Sequence, residues 1–101
     1  MMNHIETVGF MDAAADAYMK AVKKHPQFTD KVTHHDLDHV RSFVEYCRNF
    51  NDKNEPNFVS VLEEEIGEYA EASLLGDKEA AKRELLDCAA VIMREWERIS
   101  Q

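Results

Sequence analysis

The segment LEEEIGEYAEASLLGDKEAAKRELLD, residues 62–87, decides the fold because one turn signal, Gly76-Asp77, separates two helical stretches. Glycine commonly ends a helix, and aspartate commonly caps the start of the next one. If the two helices run antiparallel, residues at equal distances from Gly76 face each other. The segment therefore predicts a helical hairpin.

Two pairs of acids are placed symmetrically in this hairpin. Glu65 and Glu68 precede Gly76 by eleven and eight residues, and Glu84 and Asp87 follow it by eight and eleven. Acids three apart on a helix share one face, about 5–6 Å from each other, and packed helices lie about 8–10 Å apart. The four carboxylates are therefore expected to bind a hard cation that prefers oxygen ligands, chiefly magnesium or manganese.

The acids also lie where acids are unfavourable. At helical periodicity Glu65 falls in the centre of an apolar stripe, and Glu84 does the same on the second helix. Two carboxylates at ~4 Å repel by roughly 4 kcal/mol at an effective dielectric near 20, so such a cluster needs a cation, protons or basic partners. The alternative is a solvated helix face, which accounts for the other charged residues of the segment, Glu63, Glu71, Glu79 and Lys82.

The stretches Leu62–Glu68 and Arg83–Asp87 resemble the Glu-Glu-x-x-Glu and Glu-x-x-Asp signature of the MazG-like, all-α nucleoside triphosphate pyrophosphohydrolases. The resemblance covers about a quarter of the chain. It implies magnesium-dependent hydrolysis of a nucleoside triphosphate, a dNTP or an NTP, between the α and β phosphates, giving a monophosphate and pyrophosphate. It also implies one MazG-like domain over residues 1–101. A similar signature occurs in phosphoribosyl-ATP pyrophosphohydrolases, which are an alternative.

Carried over to this chain, the resemblance implies which residues form the site. The metal ligands would be Glu65, Glu68, Glu84 and Asp87. Glu64 matches the first Glu of the signature, so Glu64 and Glu65 are the expected catalytic residues, because an acid not fully committed to the metal can accept a proton from the attacking water.

Four further residues are expected to contact the substrate. Arg94 lies seven residues beyond Asp87 on the same strip of its helix and is the first choice for a phosphate contact. Phe58 lies opposite Arg94 in the hairpin and is expected to contact the base, although a core position is the simpler reading. Lys53 and Arg83 are further phosphate candidates.

Composition sets limits on class and partners. A chain of 101 residues with 45% hydrophobic and 32% charged residues is expected to form one soluble domain. Only three Gly and two Pro leave little room for a sheet with many turns, so the fold class is all-α, a four-helix bundle-like domain. A net charge of −8 disfavours nucleic acid. With no apolar run of the ~20 residues that a membrane span needs, no membrane partner is expected.

The predicted helices cover residues 10–24, 34–50, 56–75 and 77–99, with Thr33 capping the second and Asp77 the fourth. Cys47 and Cys88 fall in apolar stripes, so both are expected to be buried and reduced, as in a cytoplasmic protein. Residues 85–93 are apolar almost all the way round, which predicts that the fourth helix is the most buried element and that one of its faces meets a second subunit. We therefore expect a homodimer or homotetramer.

Three other readings remain open. His34, His35 and His39, with Asp36 and Asp38, could bind a transition metal, although a solvated helix start is the simpler interpretation. A carboxylate-bridged di-iron protein would normally use Glu-x-x-His motifs, and neither helix of the hairpin contains histidine. A helical interaction module without enzymatic activity is the third.

Overall fold

The computed structural model describes residues 1–27 and 36–101, and this part of the chain is helical without strands. Its four helices are α1 His4–Lys24, α2 Leu37–Lys53, α3 Phe58–Leu74 and α4 Lys78–Ser100. The all-α prediction is confirmed. None of these helices combines the length and the apolar character that crossing a membrane requires.

The sequence prediction needed correction mainly at the helix starts, although α2 also ends at Lys53, three residues later than predicted. α1 begins six residues earlier than predicted because Asn3 accepts a hydrogen bond from the backbone N–H of Glu6 at 2.9 Å. For α2 the predicted cap, Thr33, lies outside the described residues. The described helix is capped by Asp36, which has extended backbone and accepts from the N–H of His39 at 2.8 Å.

The third helix begins after Pro56 rather than at it. Asn57 and Ser60 form a reciprocal capping box, with the Ser60 N–H donating to Asn57 Oδ1 at 3.0 Å and the Asn57 N–H donating to Ser60 Oγ at 3.1 Å. This pair satisfies two backbone donors that a helix start otherwise leaves unpaired.

α3 is the central helix, since it packs against α2 on one side and α4 on the other. The buried residues come from all three helices: Val40, Val44 and Cys47 of α2, Gly67 and Ala72 of α3, and Cys88 of α4. Gly67 permits the closest approach, because a Cβ atom placed there would lie 2.8 Å from Val44 Cγ2. Glycine is therefore required for α2 to pack at this distance.

The prediction that α4 is the most buried helix is wrong for the single chain. Only Cys88 is buried in α4, whereas Leu86 on the opposite side is 71% exposed and Ala89 and Ala90 are also exposed. The reason is that α4 packs against α3 through one face only, although its apolar residues continue around the helix.

α1 lies at the edge of the domain and has no buried residue. It meets the end of α4, where the rings of Phe10 and Trp96 are 5.5 Å apart in an edge-to-face arrangement. The N-terminal amine also pairs with Glu97 at 3.0 Å. The packed unit within the bundle-like fold is thus α2, α3 and α4, with α1 attached at one end.

Candidate metal centre

The turn of the α3–α4 hairpin forms as the sequence predicts. Gly76 has φ +72°, the left-handed conformation that glycine adopts without strain. Asp77 accepts a hydrogen bond from the N–H of Ala80 at 3.0 Å and caps α4. The chain therefore reverses at Gly76, and the acidic stretches of α3 and α4 come to lie opposite each other.

Three of the four predicted ligands converge. Glu65, Glu84 and Asp87 each offer one carboxylate oxygen, and these oxygens all lie within 4.8 Å of one another. Glu65 and Glu84 are half-buried, and Asp87 is exposed at the edge of the group. One oxygen of Glu65 and one of Glu84, the Oε2 atom in each, are shielded from solvent and have no hydrogen-bond partner.

Burial and crowding change the acidity of this group. Burial is the main cause, and together with the neighbouring charges of Glu68, Asp87 and Glu84 it raises the pKa of Glu65 from 4.5 to about 7. The fold therefore keeps these carboxylates close together although they repel one another. A cation bound there would relieve that repulsion.

Glu68, the fourth predicted ligand, is bound differently. Its Oε1 accepts from Nη2 of Arg48 in α2 at 3.2 Å, and Glu84 lies close enough to raise the pKa of Glu68. Burial raises the pKa of Glu68, and the Arg48 hydrogen bond partly offsets that rise. Glu68 thus lies beside Glu84, as the hairpin register predicts, and outside the group of three converging oxygens.

Glu64 lies outside that group as well. Its Oε1 accepts a hydrogen bond from Nδ2 of Asn51 in α2 at 3.0 Å, and the same amide also donates to the Ser60 carbonyl oxygen at 3.1 Å. Glu64 therefore faces α2 and lies beside the converging carboxylates of Glu65, Glu84 and Asp87, which form the acidic cluster, without belonging to it.

The structure separates the four predicted substrate contacts into two sets. Phe58 and Arg94 line one groove of about 1,230 Å³ between the start of α3 and the end of α4, together with Val61 and Val91. Lys53, the last residue of α2, and Arg83, near the start of α4, are exposed and do not line it.

Sequence reasoning missed two polar residues of α2 that touch the acids, Arg48 and Asn51. A signal for them existed. The buried positions 40, 44 and 47 follow helical spacing, and Asn51 continues that series by four residues. Arg48 comes directly after buried Cys47, on the flank of the same stripe. Arg41 has the equivalent position directly after buried Val40, seven residues earlier.

The other candidate groups can be placed in part. His39 is exposed in the first turn of α2, next to Asp38, and Asp36 caps this helix. His34 and His35 lie outside the described residues. Cys47 and Cys88 are buried free thiols, as predicted.

Protein-family models, curated proteins and solved structures were each compared with the chain, and none of the three comparisons gave a match.

Proposed function

We propose that this protein hydrolyses a nucleoside triphosphate, a dNTP or an NTP, at the α–β phosphoanhydride in a magnesium-dependent reaction that releases the monophosphate and pyrophosphate. The observation that carries the proposal is the convergence of Glu65, Glu84 and Asp87, whose ligand oxygens lie within 4.8 Å of one another. The MazG-like motif spacing supports the same chemistry.

The donor set fits a hard divalent ion. All the available ligand atoms are carboxylate oxygens, which magnesium and manganese prefer. The buried oxygens of Glu65 and Glu84 have no other partner among the described residues, and an unpaired buried carboxylate oxygen is costly. When bound, the cation would neutralise phosphate charge and make a coordinated water more acidic.

The surrounding residues have complementary roles in this proposal. Glu65, Glu84 and Asp87 would hold the cation, and Glu68, which lies beside Glu84, would serve as the fourth ligand. Glu64 is fixed by the Asn51 amide beside the cluster and accepts a proton from the attacking water. Glu65 serves as an alternative acceptor.

The groove next to the cluster suits the rest of the nucleotide. Asp87 and Arg94 are seven residues apart on α4, which corresponds to about 10.5 Å along the helix axis. Arg94 would contact a phosphate at this distance, and Phe58 in the same groove would pack against the base. Lys53 and Arg83 remain weaker phosphate candidates because neither lines the groove.

The test is product analysis with a panel of ribonucleoside and deoxyribonucleoside triphosphates, with magnesium and with a chelator. The proposal predicts pyrophosphate and a monophosphate only when magnesium is present. Release of inorganic phosphate and a diphosphate would contradict the cleavage position. No turnover of any triphosphate by a folded, metal-binding protein would favour an interaction module, and turnover of phosphoribosyl-ATP alone would favour the related enzyme class.

We further propose that the protein works as a homo-oligomer, because the single chain exposes more surface than a monomer of its mass. Its accessible surface is 8,090 Å² for 11.7 kDa, about 2,200 Å² more than the ~5,900 Å² typical of a folded monomer. If this excess surface were buried at the interface between two copies, the interface would bury about 4,400 Å² in total, within the range of obligate homodimers.

The surface offered for this contact is the outer face of α4, formed by Leu86, Ala89, Ala90 and Met93, opposite Cys88. Its small residues allow close helix packing. Sedimentation of Leu86→Glu should show a smaller species than wild type, while Tyr46→Glu, a change at a comparably exposed residue of α2, should leave the assembly intact. A monomeric wild type would refute the proposal. The buried free thiols fit a reducing, cytoplasmic location, which we include in the proposal.

A further inference from the structure

The ion pair between Arg48 and Glu68 brings a positive charge from a third helix to the acidic cluster. Arg48 Nη2 lies 3.2 Å from Glu68 Oε1. The Glu68 side chain is 19% exposed and that of Arg48 is 55% exposed, so the carboxylate is shielded while much of the guanidinium still faces solvent. Arg48 therefore has donors available for a second partner while it holds Glu68.

A divalent cation and this guanidinium compete for one carboxylate. Glu68 lies beside Glu84, which belongs to the converging group and raises the pKa of Glu68, and it is hydrogen-bonded to Arg48, which does not belong to that group. If a cation takes Glu68 as its fourth ligand, the Arg48–Glu68 bond has to weaken, since both cations draw on the same oxygens. The guanidinium is then left beside the metal without its full complement of hydrogen bonds.

We propose that Arg48 exchanges partners: it holds Glu68 in the metal-free protein and contacts substrate phosphate once the cation has taken Glu68. This inference rests on the proposed function. An arginine fork can donate two parallel hydrogen bonds to phosphate oxygens, which suits it to that second role. Arg48 contacts Glu68 at the acidic cluster, whereas Arg94 lies seven residues beyond Asp87 on α4 and lines the neighbouring groove.

The alternative is that the pair only fastens α2 to α3, and the chain contains a matched control for this reading. Arg41, seven residues earlier on α2, pairs with Glu71, three residues later on α3, at 2.9 Å. Its side chain is exposed to a similar degree, 52%. Glu71 is not part of the converging group, so the Arg41–Glu71 pair joins the same two helices without touching the proposed site.

The experiment compares wild type, Arg48→Gln, Arg48→Lys and Arg41→Gln by calorimetric titration, after circular dichroism has shown that each is folded. The first titration uses Mn²⁺ alone, and the second uses inorganic pyrophosphate added to the Mn²⁺-loaded protein. Both readouts are binding constants, so neither depends on turnover.

Partner exchange predicts opposite changes in Arg48→Gln. Mn²⁺ should bind several-fold more tightly, because its competitor for Glu68 is gone. Pyrophosphate should bind about tenfold more weakly, the loss expected for one hydrogen bond to a charged group. Arg48→Lys should recover part of the pyrophosphate affinity, and Arg41→Gln should stay within about twofold of wild type in both titrations, as expected for an exposed ion pair.

Two results would overturn the inference. If Arg48→Gln behaves like Arg41→Gln in both titrations, the pair is only a link between α2 and α3. If Arg48→Gln weakens Mn²⁺ and pyrophosphate binding together, Arg48 supports the site without changing partners. A wild type that binds no Mn²⁺ would instead remove the proposed function, and this inference with it.

Discussion

α3 and α1 are both helices of moderate length with apolar residues, yet they use those residues in opposite ways. α3 packs against α2 and α4 and carries half-buried acids toward α4. α1 has no buried residue, and Ile5 on its surface is 81% exposed. In α3 the apolar surface holds acids that repel one another close to the acids of α4. In α1 the apolar surface is left uncovered in the single chain.

The largest expected effect separates an acid of the cluster that α3 and α4 form together from an acid of α1. Glu84→Gln removes a ligand charge from the cluster, so magnesium-dependent turnover should fall at least about 100-fold, equivalent to about 2.7 kcal/mol of transition-state stabilisation. Asp16→Asn, a change at an exposed acid of α1, should leave turnover unchanged. The measurement is the steady-state rate of pyrophosphate release, and equal rates in the two variants would remove the acids of α4 from the site.

The next effect compares two glycines. Gly67→Ala places a methyl group 2.8 Å from buried Val44, and such overpacking costs about 1–3 kcal/mol. Higher helix propensity returns about 1 kcal/mol, so the free energy of unfolding should fall by about 1 kcal/mol in denaturant titrations. Gly9→Ala has no atom within 4 Å of the new methyl group and should be stabilising by up to about 1 kcal/mol. Stabilisation by both changes would mean that α2 and α3 are not tightly packed at Gly67.

A smaller effect concerns pH in the metal-free protein. Because burial and nearby charges raise the pKa of Glu65 from 4.5 to about 7, the folded state keeps a proton that the unfolded chain releases in this window. This contribution to stability is complete below pH 4.5 and is lost as pH rises through about 7. With a chelator present, the free energy of unfolding should decrease from about pH 5 to about pH 8. Glu65→Gln should flatten the decrease, whereas Asp16→Asn should retain the wild-type slope.

The hairpin was predictable because its determinants are local. Gly76 and Asp77 fix the turn, and helical spacing then decides which acids meet, so Glu65, Glu84 and Asp87 could be placed together from the sequence. Asp77 as a cap and the burial of Cys47 and Cys88 follow from equally local patterns.

The contributions of α2 were not predictable in the same way. Whether Arg48 reaches Glu68 depends on how closely α2 approaches α3, and that distance is set by Gly67 against Val44. The burial of α4 was overestimated for a related reason: an apolar sequence shows that a face avoids water, but it does not say whether the chain itself or a second copy covers that face.

The most direct test of the central claim, that the clustered carboxylates form a cation site, is the melting temperature of wild type and Glu65→Gln with and without magnesium or manganese. Selective binding to the native state should stabilise wild type by about 2.7 kcal/mol at a hundredfold excess over the dissociation constant. Without metal, Glu65→Gln should be at least as stable as wild type, since one crowded charge is gone, and it should gain less from added metal. A metal-free variant that melts well below wild type, together with an unchanged metal-induced shift, would show that Glu65 has a structural role and that the proposed site is wrong.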